Sequence, residues 1–393
     1  MVKIINKSKD QNYKFPILGY PGYFFTKFFD TVKPLSHLLD KLETNWLSND
    51  LNKLTINKPV FITGLARSGT TIILEMLHQH PELASHRYSH LLLPYLPHWF
   101  SLIINKLSRF FLKNYLTKPF ERVHKDGIIV TRDSPEMVEE VIWQQFFDHL
   151  HNEEVSNIIN TEIVNHKFEK FYKTHICKLI INQNRSRYLA KNNYNITRLE
   201  YLLKIFPNSK FLLTIRNPIE HISSLIKQTA LFIRMEKEAP LLIDWLRIVG
   251  HYEFGSQHVC INSGNTDIIH KIRKLWAHKE TYVKGWAYYW DSIYDYISKC
   301  IETNSNLKKA TYIVRYDDLC EFPARVIDEI LLHTELPNSE FAEVKNYYIK
   351  NLHKPTYYTS KFTEQELNQV YEITNATAKW FKLKDIKEGI YIR

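Results

Sequence analysis

The sequence predicts an α/β nucleotide-binding fold of the P-loop kind, a central parallel sheet flanked by helices, and two stretches carry that expectation. Residues 59–75, PVFITGLARSGTTIILE, run from a β-rich segment through a glycine-bearing turn into a helix. Residues 210–220, KFLLTIRNPIE, run from a buried-strand pattern directly into a helix start. A strand followed at once by a helix, twice, is the pattern of parallel sheets, because parallel neighbours need a crossover and a helix supplies it.

In the first stretch Gly64 and Gly69 have the spacing of the phosphate loop G-x-x-x-x-G-K-[ST], and Thr71 fills its last position. Thr70 stands where the lysine that reaches the β and γ phosphates would be, and an arginine, Arg67, comes two residues before the second glycine. From Thr71 to His80 the apolar residues Ile73, Met76 and Leu77 keep a helical spacing that Pro81 stops. Loop N–H groups and the positive end of the helix would converge on an anion.

In the second stretch Asn217 suits an N-cap, Pro218 the first helical position and Glu220 the capping-box position. Ser224 lies two turns on, on the face near Arg216. An arginine at a strand's C-terminal end beside a hydroxyl makes a second anion site. A metal-dependent NTPase would hold Mg²⁺ with an aspartate at such a strand end; this chain offers a cation.

Composition bounds the rest. The 393 residues contain no Gly/Ser/Pro-rich linker and no repeat, which favours one elaborated domain: residues 58–393 with helical acceptor-site insertions at about 91–185 and 231–285, preceded by a helical extension, 1–57, packed on the core. A net charge of +10 favours an anionic ligand, nucleic acid or membrane surface without choosing among them. Cys177, Cys260, Cys300 and Cys320 are far apart and form no C-x-x-C pair, which argues against a disulfide framework or zinc site and for a reducing compartment. With no run of ~20 apolar residues, the expected location is cytoplasmic. Residues 91–120 contain no acid and carry Lys106, Arg109, Lys113 and Lys118 among large apolar side chains. Such a stretch suits peripheral membrane contact or a core-facing helix with a basic outer face. Trp286, Tyr289, Trp290, Ile293, Tyr294 and Ile297 follow helical spacing and read as core.

Taken together, the two anion-binding segments resemble the sulfotransferases that use 3′-phosphoadenosine 5′-phosphosulfate (PAPS). That family's first loop reads [K/R]-S-G-T-T, as Arg67-Ser68-Gly69-Thr70-Thr71 does, and its second reads R-[ND]-P with a serine eight residues after the arginine, as Arg216-Asn217-Pro218 and Ser224 do. The resemblance extends to Tyr188-Leu189-Ala190-Lys191 and to Arg315-Tyr316-Asp317-Asp318-Leu319, so it spans residues 58–335. Arginine in the first loop looks like the branch of tyrosylprotein and many bacterial sulfotransferases. The resemblance implies that 67–71 cradle the 5′-phosphosulfate, that Arg216 and Ser224 grip the 3′-phosphate, and that Lys191 lies between the two. It also implies metal-independent, in-line transfer of a sulfuryl group from PAPS to a hydroxyl of a carbohydrate, glycolipid, peptide or small alcohol. A sulfuryl group carries less charge than a γ-phosphate, so positioning and stabilisation of the leaving phosphate oxygen, with Arg67 at that oxygen, can replace a magnesium clamp.

The general base is left open. Cytosolic members place a histidine two residues after the lysine, where this chain has Asn193, and the Golgi and tyrosylprotein branches use a glutamate after the first helix, where Ser85-His86-Arg87-Tyr88-Ser89-His90 has no carboxylate. His90 is the first choice, since a neutral imidazole accepts a proton near pH 7; His124, the cluster Asp133-Ser134-Pro135-Glu136, and Glu253 follow. The rival readings are a small-molecule kinase, disfavoured by Thr70 and Arg216, and a catalytically silent nucleotide- or nucleic-acid-binding module. No nucleic-acid partner is expected.

Overall fold

The computed structural model describes residues 19–110, 119–354 and 361–384, with side chains omitted at 107–110. Its central sheet is built from β1 (Val60–Thr63), β2 (Leu83–Ala84), β5 (Arg187–Lys191), β6 (Lys210–Ile215) and β7 (Thr311–Arg315), all parallel and in the order β2-β5-β1-β6-β7. Two further strands, β3 (Phe120–Glu121) and β4 (Ile129–Val130), form a separate antiparallel ribbon.

Every residue of β1 and β5 is buried, as expected for parallel strands covered on both faces. The two-residue period of a strand sorts their side chains into two cores. Phe61, Tyr188, Ala190, Phe211 and Leu213 face a large cluster that includes helix His166–Gln183 and helix Tyr282–Thr303, whereas Val60, Ile62, Leu189, Leu212 and Val314 face a smaller one with helix Thr70–Leu77 and helix Pro323–Thr334. Each large apolar side chain buried this way contributes about 1.5–3 kcal/mol. The stripe Trp286, Tyr289, Trp290, Ile293, Tyr294 and Ile297 is buried throughout, as its spacing predicted.

Helices Gly19–Thr31 and Lys33–Trp46 join this core through polar contacts that no spacing in the sequence announces. Lys178 is wholly buried between Asp40 (2.6 Å) and Glu43 (2.9 Å), and Tyr23 donates to Asp244 at 2.6 Å. Losing Lys178 would leave the buried carboxylate of Glu43 without its cation, at about 3–5 kcal/mol.

In helix Pro97–Phe110, Phe100 and Ile104 are buried while Leu102 and Ile103 are exposed. Lys113 and Lys118 lie outside the described residues, as does the side chain of Arg109. Among the described residues no helix is long and apolar enough to cross a membrane.

The strand order reverses beside β1, the place where open α/β sheets bind ligands at the carboxyl ends of their strands. Four residues marked by the sequence meet at that edge: Gly64 follows β1, Lys191 ends β5, Arg216 follows β6 and Tyr316 follows β7.

Candidate active site at the carboxyl edge of the sheet

The phosphate loop is held in shape from behind. Gly64 has φ 144° and a Cβ there would lie 2.3 Å from Thr214 Oγ1; Gly69 has φ 102° and a Cβ would lie 2.5 Å from the Tyr316 ring, so both positions demand glycine. Arg67 itself sits in the left-handed region at φ 74°, a strained backbone for a non-glycine residue. The Leu65 N–H donates to Tyr294 Oη (3.3 Å), whose hydroxyl donates to Thr214 O (3.0 Å). Trp290 Nε1–H donates to His221 Nδ1 (3.1 Å), so the proton of neutral His221 sits on Nε2, which donates to Ala66 O (2.8 Å).

The hydroxyl of Ser68, a residue the resemblance sets at the anion, turns inward. It donates to Leu65 O (2.6 Å) and lies 2.5 Å from Thr214 Oγ1, and the Ser68 N–H also bonds Leu65 O (3.2 Å). Thr70 donates from Oγ1 to Asn193 Oδ1 at 3.5 Å. The first turn of helix Thr70–Leu77 has N–H groups without intrahelical acceptors, which gives Thr70 and Thr71 the anion-facing end of that helix.

Arg67 joins the two motifs. Its Nε donates to Ser224 Oγ at 3.3 Å and its Nη1 to Asp126 Oδ2 at 2.9 Å. Asp126, on the β3–β4 hairpin, is also gripped by Arg122, whose Nε lies 2.9 Å from Oδ1 and whose Nη2 lies 2.6 Å from Oδ2. Burial opposes ionisation of Asp126, but Arg122 and then Arg67 hold its carboxyl well below the usual carboxylate range.

Arg216 is buried, paired with Glu220 at 2.9 Å and set over the Tyr316 ring at 5.0 Å. Asn217 caps its helix as predicted, accepting from the Ile219 N–H at 3.0 Å. Lys354 reaches the same place, pairing with Asp317 and lying 3.6 Å from Glu220; nothing in the sequence around it had marked it.

Lys191 is buried with Nζ 3.9 Å from Met137 Sδ; burial lowers its pKa, and Glu136 and Glu253 oppose that. Asn193, standing where cytosolic sulfotransferases have histidine, accepts from Thr70 and donates to Glu253 Oε1 at 2.8 Å. Burial works against the charge of Glu253, yet His251, Lys191 and Asn193 bring its pKa down to about 2. Glu136 accepts from the Met137 N–H at 2.6 Å. Glu75, which the sequence had not singled out, is buried on the loop helix; burial pushes it up to about 8 against the pull of Arg122, and its Oε1 has no hydrogen-bond partner.

The two histidine candidates part company. His90 is fully buried, its Nδ1 accepting from the Arg87 N–H (3.2 Å) and its Nε2 facing Ser101 Oγ (3.0 Å). It packs beside His86, which stacks on His175 at 5.0 Å between ring centres. With both nitrogens engaged inside the core, His90 has no access to a substrate, and its first place among the bases is corrected on that ground. His124 packs against Phe232 and Phe254, and its buried Nδ1 has no hydrogen-bond partner. Burial, then Arg122 and Arg67, push its pKa well below the ordinary histidine value, so it is neutral near pH 7.

Residues 59–238 match the profile of the Sulfotransferase family, a stretch that contains both anion-binding motifs, Lys191 and the hairpin. Among curated proteins no sequence matches significantly. Among solved structures, sulfotransferase STF9 from Mycobacterium avium superposes with a TM-score of 0.52 at 14% identity, covering 87% of this chain and 82% of that one. Sulfotransferase STF1 from Mycobacterium tuberculosis H37Rv gives 0.46 at 14% identity over 88% and 82%. Residues 59–238, which hold both anion-binding motifs, thus match the Sulfotransferase family, and the α/β fold is shared with STF9.

Proposed function

We propose that the protein transfers a sulfuryl group from PAPS to a hydroxyl of an acceptor, without a metal ion. The observation that carries this is the 3.3 Å contact between Arg67 of the first motif and Ser224 of the second, with Arg216 on the same sheet edge. A nucleotide bearing phosphate at both its 3′ and 5′ positions needs two cationic sites close together, and the glycine-shaped loop before the N-terminus of helix Thr70–Leu77 fits the first of them. Arg216 also stands where a metal-dependent enzyme would keep an aspartate.

The donor supplies a sulfuryl group on a phosphate: the acceptor oxygen–sulfur bond forms as the sulfur–oxygen bond to that phosphate breaks, and the electron pair leaves with the phosphate oxygen. Arg67 and the first-turn N–H groups at Thr70 and Thr71 stabilise the negative charge that grows there. Arg216 and Ser224 hold the 3′-phosphate, and Lys191, between the sites, adds positive charge. His124, neutral and beside the arginines, takes the acceptor's proton. The insertions at about 91–185 and 231–285 bring His124 and Glu253 to the scaffold of 58–393, and of the extension 1–57 the described residues, 19–57, add helices to it. We place the reaction in the cytoplasm, with a hydroxyl-bearing acceptor and no nucleic acid as partner.

Incubating the enzyme with PAPS and a cell extract should yield species heavier by one SO₃, read by mass spectrometry, undiminished by EDTA and strongly reduced with Arg67→Ala. Turnover of ATP with Mg²⁺ in place of that product would overturn the proposal.

A further inference from the structure

Asp126 places a carboxylate on the very guanidinium that the proposed reaction needs at the leaving oxygen. Its two oxygens are already satisfied by Arg122, with Nε at 2.9 Å from Oδ1 and Nη2 at 2.6 Å from Oδ2. The bond from Arg67 Nη1 to Oδ2 at 2.9 Å is therefore additional to a complete pair. All three side chains are close to fully enclosed, at 11%, 5% and 7% exposure for Arg67, Arg122 and Asp126. A tight turn fixes the arrangement: the Lys125 N–H donates to Arg122 O at 3.0 Å, and Lys125 and Gly127 both take positive φ, 45° and 80°. Asp126 thus returns under Arg122 and faces the phosphate loop, while His124 lies on the same turn.

Two guanidinium groups share one carboxylate here in a low-dielectric place, where contacts between charges are strong. The carboxylate also sets a threshold, because an incoming anion must displace it from Arg67 to gain that arginine. We infer that Asp126 is a resident competitor of the donor for Arg67, released from Arg67 but kept by Arg122 when the donor binds, and that it makes the site select multiply charged nucleotides over small anions. This rests on the PAPS reading of the site. A singly charged ion gains little by replacing one carboxylate with itself. A donor held at two further places, Arg216 and Ser224, can afford the exchange.

The test uses the full chain and 3′-phosphoadenosine 5′-phosphate as probe. By calorimetry Asp126→Asn, which keeps shape and removes charge, should bind the probe ~10-fold or more tightly than the wild type, bind inorganic pyrophosphate more tightly as well, and lower the KM for PAPS. In an Arg67→Gln background the same substitution should give no gain. A purely structural aspartate would instead weaken probe binding together with thermal stability, and that result, or unchanged affinity, overturns the inference. A crystal structure of the wild-type complex with the probe is the second measurement and does not depend on the variant folding. The Arg67–Asp126 distance should exceed 4 Å there with the Arg122–Asp126 pair intact, and a persisting 2.9 Å contact overturns the inference alone. A wild-type chain that does not bind the probe sinks the donor reading and the inference with it.

Discussion

His90 and His124 are the same residue type, and burial pushes both well below the ordinary histidine pKa, yet they sit in different surroundings. His90 belongs to a nest with His86 and His175, and both of its own ring nitrogens are engaged, by a backbone N–H and by a hydroxyl. His124 belongs to a hairpin that also carries Arg122 and Asp126, and its Nδ1 meets nothing. A depressed pKa by itself records burial. An unpartnered nitrogen in the field of two arginines is what the proposed role of His124 rests on.

The comparison breaks most sharply on turnover. His124→Ala should lower kcat/KM by ~10²–10⁴, the range of a lost general base, with binding of 3′-phosphoadenosine 5′-phosphate preserved, whereas His90→Ala should keep most of its kcat. Steady-state kinetics on both variants decides; loss of turnover in the His90 variant alone would invert the assignment. Next in size is Arg67→Ala, expected to reduce kcat by ~10²–10³ as an oxyanion-type donor does, with product affinity falling less and Arg67→Lys restoring part of the rate. Intact kcat at saturation would take Arg67 away from the leaving oxygen.

The nucleotide half is sharpened by binding alone. 3′-Phosphoadenosine 5′-phosphate should bind more tightly than 5′-AMP by ~2–4 kcal/mol, because the second ligand leaves Arg216 and Ser224 without their phosphate. Equal affinities by calorimetry would strip those residues of that role.

The smaller effects concern pH, and the histidines pull in one direction. The folded pKa of His86 is down at about 3, and those of His90 and His175 lie well below the unfolded value of ~6.5. The unfolded chain therefore binds more protons as pH drops below ~6.5, and stability should fall over that range. His90→Ala should cost ~1–3 kcal/mol at pH 7 through its orphaned partners and flatten that acid slope in thermal melts. In kinetics the acid limb of kcat/KM should lie below ~6.5, since His124 stays neutral until its lowered pKa is reached. A limb at 6.5 that vanishes with His90→Ala would restore the first ranking.

The strand–loop–helix half was legible because its signals are local. Glycines at Gly64 and Gly69, the cap Asn217, and Ser224 two turns from the strand end are backbone and spacing requirements that a linear chain displays. The other half was not, because its geometry comes from long-range docking of short, weakly patterned segments. The ribbon of β3 and β4 has two residues per strand, and Asp126 meets Arg67 across 59 positions of sequence. His90 was favoured because a neutral imidazole accepts a proton near pH 7, and its neighbours proved to be Ser101, His86 and His175. Ser68 shows the limit inside the legible half as well: the motif gave its position, and only Thr214, on another strand, shows which way its hydroxyl turns.

The bonds that run from Tyr294 to Leu65 and Thr214, and from Trp290 through His221 to Ala66, have a thermodynamic consequence for donor capture. A loop already ordered by the core of the molecule loses little conformational freedom when an anion arrives. Association should then be limited by encounter and by the exchange at Arg67 rather than by folding of the loop. The amide of Leu65 should exchange with deuterium on the slow timescale of the buried strands even though it lies in a loop. The phosphate loop is in that sense an extension of helix Tyr282–Thr303, and substitutions at Trp290, remote in sequence, should register as faster exchange at the nucleotide site.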